Sequence, residues 1–131
     1  MKRYVEEPGT DVVGDLLREG VVTTARFSQT EIASALARRC RDGAFSAAER
    51  DRALLALHAD FSALFLVELT AAVVSKSVGL LVRRILRAAD ALQLASCLEL
   101  RERLSLPVVF VAWDGRLVDA ARAEGLETRP K

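Results

Sequence analysis

Val108-Val109-Phe110-Val111-Ala112-Trp113-Asp114-Gly115 is the stretch on which the fold turns. Pro107 starts a strand, and the unbroken apolar run from Val108 to Ala112 is of the kind that parallel sheets use when both faces are covered. Asp114-Gly115 then turns the chain into a helix from Arg116 to Glu124. Gly125 closes that helix, and Leu126-Glu127-Thr128 reads as a last edge strand.

Upstream, helical and extended segments alternate. Arg87 to Leu104 is a long helix, preceded by a helix that Thr70 caps and that runs through Leu81 to Arg84. Leu64-Phe65-Leu66-Val67 reads as a buried strand. Ser46-Ala47-Ala48-Glu49 is a capping box opening a helix to about Asp60. Ser28-Gln29-Thr30-Glu31 carries the same signature, opening an Ala-rich helix to about Asp42 that Gly43 ends. Val21-Val22-Thr23-Thr24 is a short strand. Before it, Tyr4 to Glu7 ends a short helix at Pro8-Gly9, and Thr10 caps a second one to Arg18, stopped by Gly20. Strands separated by helices give an α/β domain with a mostly parallel sheet, and right-handed crossovers place helices on both of its faces. Residues 1–131 read as a single domain, without internal repeat, low-complexity segment or linker.

Composition narrows the function classes. With 131 residues, 51% hydrophobic and 28% charged, the chain has ample material for a core, which argues against disorder. A formal net charge of +1 excludes a polycation, so any nucleic-acid contact must come from a local patch. Cys40 and Cys97 show no CxxC or Cys/His ligand spacing, and neither reads as catalytic. A reduced, cytosolic compartment is the simpler expectation. No stretch approaches the ~18 apolar residues of a membrane span. Met1 to Glu7 lacks the apolar core of a signal peptide, so a soluble cytoplasmic protein is expected.

Three acids stand in unusual settings. Asp90 lies within Leu86-Arg87-Ala88-Ala89-Asp90-Ala91-Leu92-Gln93-Leu94-Ala95-Ser96, and at helical spacing it shares a face with Leu86, Leu94 and Cys97. A carboxylate on an apolar face needs a partner. Glu31 heads Glu31-Ile32-Ala33-Ser34-Ala35-Leu36, and Asp114 follows the apolar run, at a strand end where open α/β sheets bind their ligands. Convergence of Glu31, Asp90 and Asp114 would make a hard oxygen site suited to Mg²⁺ or Mn²⁺, able to activate water against a phosphodiester. Each acid also has a structural explanation: Glu31 as half of a capping box, Asp114 as a turn residue and helix cap, Asp90 as the cap of a helix with Gln93 at its third position. Arg38, Arg39 and Arg41 with Arg83, Arg84 and Arg87 are candidates for a phosphate-binding rim, Arg87 first because it lies one turn before Asp90. His58 reads as an ordinary helix residue. Glycine-rich nucleotide-binding fingerprints are absent.

Taken in order, Lys2-Arg3-Tyr4-Val5-Glu6-Glu7-Pro8-Gly9, Glu31-Ile32-Ala33-Ser34-Ala35-Leu36, Arg87-Ala88-Ala89-Asp90-Ala91-Leu92-Gln93-Leu94-Ala95 and Phe110-Val111-Ala112-Trp113-Asp114-Gly115-Arg116-Leu117, with Ala120-Ala121 and Gly125-Leu126, resemble a PIN-domain ribonuclease of the VapC toxin type. The resemblance covers essentially the whole chain. It implies a three-layer α/β/α sandwich, Mg²⁺-dependent endoribonuclease activity, homodimerisation and neutralisation by a cognate antitoxin. Glu31, Asp90 and Asp114 match the second, third and fourth acidic positions of the family and are the expected catalytic and metal-binding residues, with Arg87 holding RNA.

The first acidic position has no counterpart. The family begins with an apolar strand ending in Asp, whereas here Met1 stands where that lead-in would be finishing. The expectation is an N-terminally incomplete PIN-like domain without its central first strand, whose natural reading frame starts about ten residues earlier. Ala112 departs from the pattern too, standing where the family often has threonine. Two rivals follow: a remnant that dimerises and binds an antitoxin without cutting RNA, and an unrelated α/β protein whose acids are only caps.

Overall fold

Residues 21–130 are described by the computed structural model of the protein. The helical segments expected over Tyr4–Glu7 and Thr10–Arg18 lie outside them, as does the Lys2–Gly9 part of the resemblance. Among the described residues the fold is mixed α/β and mostly helical, with five helices and four three-residue strands. The chain divides into two compact units, Met1–Leu66 and Val67–Lys131.

In the first unit, β1 (Thr23–Ala25) leads into α1 (Ser28–Arg41), followed by α2 (Ala47–Ala63) and by β2 (Phe65–Val67), which pairs with β1 and ends at the boundary of the units. The capping box expected at Ser28 does not form. Phe27 at the helix start already has helical φ and ψ (−65°, −15°), and the Glu31 N–H donates to the Phe27 carbonyl. Ser28 is thereby drawn into the helix, where it is buried and its Oγ accepts from the Thr24 hydroxyl at 3.4 Å. At α2 the same signature works, because Ser46 is extended: its N–H donates to Glu49 Oε1 at 3.0 Å and its Oγ accepts from the Glu49 N–H at 3.1 Å. Gly43, at φ +79°, terminates α1 by letting its own N–H reach the Cys40 carbonyl and that of Ala44 the Arg39 carbonyl. Leu36, Leu57 and Phe61 form the buried centre, with Ile32, Phe45, Leu54, Leu64 and Leu66 around them. The strand expected to be buried over Leu64–Val67 is shorter and only partly buried, with Phe65 57% exposed.

The second unit holds α3 (Ala71–Arg83), α4 (Ala88–Leu104), β3 (Val109–Val111), α5 (Gly115–Ala123) and β4 (Glu127–Arg129). Val73 and Leu80 of α3, Ala91, Leu94, Ala95 and Leu98 of α4, Phe110 of β3 and Leu117, Ala120 and Ala121 of α5 form one apolar core, which Leu126 closes. Strands β3 and β4 run parallel, Phe110 opposite Thr128, with α5 as their crossover. Two expectations are corrected. The run Val108–Ala112 is not covered on both faces: Phe110 is buried, while Val109 and Val111 on the alternate face are each 41% exposed. Among the described residues a single central sheet is also not formed, since the strands pair two by two, β1 with β2 and β3 with β4. A continuous sheet needs a strand bonded to members of both pairs, and no described residue supplies one.

Glu124 fastens this unit. It caps the end of α5, and its carboxylate takes hydrogen bonds from Arg83 (Nη2 to Oε1, 2.8 Å) and Arg84 (Nη2 to Oε2, 2.8 Å) at the end of α3. Arg83 first, then Arg84, outweigh burial and hold the carboxyl at about 2, below its ordinary 4.5. A carboxyl lowered on folding stabilises the protein fully above its unfolded value and stops doing so as pH falls through the folded one. Discounted for the half-exposed Arg83, the contribution is about 1–2 kcal/mol. Glu124→Gln is accordingly expected to lower the denaturation free energy by that amount at pH 7. The difference from wild type should narrow below pH 4.5 and close near pH 2, as read by urea unfolding across the range.

Candidate metal centre

Arg87 is the residue before the first turn of α4, in extended conformation, and Asp90 is the third residue inside that turn. The notion of Asp90 as a helix cap is therefore corrected, since the cap position belongs to Arg87. The exposed N–H groups of a first turn favour an acid there, and this is the side from which the helix dipole attracts negative charge. Burial of Ala91, Leu94, Ala95 and Leu98 fixes the rotation of α4, and Asp90, one turn before Leu94, falls at the edge of the buried face, partly covered. The sequence expectation that this carboxylate shares a face with Leu94 holds. Cys97 lies on the same side, half-buried.

Asp114 stands just after β3 and caps α5, its Oδ1 accepting the Leu117 N–H at 3.1 Å. The capping role anticipated from Asp114-Gly115 is thus real, and it engages one of the two carboxylate oxygens. The side chain is exposed.

The structure brings Asp90 and Asp114 within electrostatic reach of each other. Desolvation first, and then the negative charge of Asp114, push the Asp90 carboxyl above its ordinary value, with Arg87 acting in the opposite direction. An acid held partly out of water beside a second acid gains more from a cation than either acid would alone. Both donors are hard oxygens. The Cys97 thiol, farther along the same helix, is pushed up to about 11 by burial and stays protonated at neutral pH. Hard oxygen donors of this kind suit Mg²⁺ or Mn²⁺.

Glu31 lies in the first unit, exposed in the opening turn of α1. Among the described residues no group of three or more His, Cys, Asp or Glu side chains is gathered in a way that would hold a metal ion. The acids that the structure unites are the pair Asp90 and Asp114.

Each unit also has a concavity of its own. In the second unit Ser75, Lys76, Gly79, Arg83, Arg101 and Glu102 are among the residues lining a volume of about 600 Å³. Its charges largely answer one another. Lys76 bridges Glu99 at 3.1 Å and Glu102 at 2.8 Å, and Arg83 is held by Glu124. In the first unit a groove of about 400 Å³ runs between the start of α1, the end of α2 and β2. Sequence reasoning passed over it because its lining comes from three separate segments, and none of them carries a motif.

Compared with models of known protein families and with curated proteins, the chain matches none.

Proposed function

We propose that this chain is a metal-dependent endoribonuclease of the PIN-domain, VapC toxin type. The observation that carries the reading is the coupled pair Asp90 and Asp114, one at the head of α4 and the other at the carboxyl end of the parallel strand β3. The placement is the one where α/β folds put their ligands. Asp90 and Asp114 would hold Mg²⁺ or Mn²⁺, with Glu31, at the family's second acidic position, as the remaining acid. The metal supplies Lewis-acid stabilisation of the phosphodiester and a more acidic bound water. Arg87, exposed at the start of α4, would hold the RNA backbone next to the acids. The fold this reading implies is a three-layer α/β/α sandwich.

The partner side of the reading rests on α3. Val74, Val78, Leu81 and Val82 recur at helical spacing on one exposed stripe that continues to Ile85 just beyond the helix. A second copy or an antitoxin would cover it. The prediction is that Val82→Glu, at a position 84% exposed, leaves the melting temperature within about 2 °C while abolishing self-association or antitoxin capture, measured by light scattering.

The second reading is a non-catalytic module that keeps this protein-binding stripe and cuts nothing, and the absence of a third gathered acid among the described residues favours it. Cleavage of single-stranded RNA separates the two. The ribonuclease reading requires cleavage with Mn²⁺ that stops with EDTA and is lost in Asp114→Asn, while cleavage by neither protein supports the binding module. No membrane partner is proposed, and among the described residues no helix is long and apolar enough to cross a membrane.

A further inference from the structure

The first-unit groove differs in chemistry from the concavity of the second unit. Arg26 and Gln29 from the start of α1, His58 and Ser62 from the end of α2, and Phe65 from β2 line it, over a floor that includes the buried Phe61. Among the described residues, none that lines it is acidic. The larger concavity of the second unit, by contrast, has Glu102 and Glu124 among its own walls. A groove with a guanidinium, an imidazole and no carboxylate attracts an anion.

Phe65 adds what a simple anion would not use. It is 57% exposed in a groove that it lines together with the polar Arg26, Gln29, His58 and Ser62 and the partly buried Leu64 and Leu66. An exposed aromatic face beside a cation is how proteins hold an unpaired nucleobase and its phosphate. Ser62 donates its hydroxyl to the His58 carbonyl at 2.9 Å, which leaves its oxygen the capacity to accept. The Gln29 amide offers both a donor and an acceptor to a base edge. Arg26 also has an interaction of its own within the protein, and five N–H donors let one guanidinium serve both.

We propose that this groove is a nucleotide subsite for single-stranded RNA, with one base stacked on Phe65 and its phosphate held by Arg26 and His58. The inference rests on the ribonuclease reading for the identity of the substrate, and it assigns RNA contacts to residues outside the acid pair. His58, an ordinary helix residue by sequence, acquires a role through the segments that surround it.

The test is fluorescence anisotropy of a labelled single-stranded RNA hexamer against the full chain in EDTA, where metal-dependent cleavage is suppressed. Phe65→Ala should weaken binding about tenfold, Phe65→Tyr should restore it to within about twofold, and Arg26→Ala should weaken it by a similar factor. Leu55→Ala, an exposed apolar truncation elsewhere on α2, should leave it unchanged. Wild-type binding that Phe65→Ala does not alter would overturn the subsite and leave the ribonuclease reading standing. Phe65-dependent binding by a protein that cleaves nothing with Mn²⁺ would sustain the subsite and sink the enzyme. No binding by the wild type would overturn the subsite, and cleavage with Mn²⁺ then decides the ribonuclease reading separately.

Discussion

Asp90→Asn is expected to lower Mn²⁺-dependent RNA cleavage on the order of 10²- to 10³-fold, the equivalent of losing several kcal/mol of metal-borne charge stabilisation. Asparagine keeps the shape of the side chain and its place in the first turn of α4 but supplies one neutral oxygen. Its effect on folding runs the other way. Burial and Asp114 both disfavour the ionised Asp90 carboxylate, so without metal the variant should melt higher than wild type. Lower activity with higher metal-free stability separates a functional acid from a structural one, because loss of a structural cap lowers stability. Asp114→Asn is a weaker discriminator, since Asp114 also caps α5 through the Leu117 N–H. Thermal melts in EDTA alongside the cleavage assay read both effects.

Leu94→Ala should produce the largest loss of stability. Leu94 is fully buried at the centre of the second unit's core, among Val73, Leu80, Phe110 and Leu117. Truncation removes its buried methyl groups and leaves a cavity that the packed helices close only in part, a loss of about 3 kcal/mol within a usual range of 2–5. For a unit of this size that is a melting shift of more than about 10 °C. Leu55→Ala, with Leu55 71% exposed, should move the transition by less than about 2 °C. Because Leu94 lies one turn after Asp90, the loosened helix should also weaken metal binding, whereas loss of Leu55 should not.

Helix positions were legible in the sequence because their signals are local. Thr70, Ser46, Gly43 and Gly125 act through hydrogen bonds to residues within one turn, and each marks a helix end in the structure. Ser28 misled for an equally local reason: the helical conformation of Phe27 shifted the start of α1 and left its hydroxyl to Thr24. Strand environment was less legible. Phe110 and Val109 have similar apolar side chains, and only the packing of α4 and α5 decides that Phe110 is buried while Val109 is not. The electrostatic meeting of Asp90 with Asp114 depends on a helix head lying near a strand end 24 residues later, which periodicity alone does not encode. Sequence named both acids; tertiary structure paired them. Glu124 illustrates the converse, since nothing near it in sequence announces its grip on Arg83 and Arg84.

The most direct measurement is calorimetric titration of the metal-free full chain with Mn²⁺, wild type beside Asp90→Asn and Asp114→Asn. The account predicts saturable binding by the wild type, weakened at least tenfold in each variant, as required if both carboxylates hold the ion. Equal affinity in all three proteins, or no saturable binding by the wild type, would contradict it.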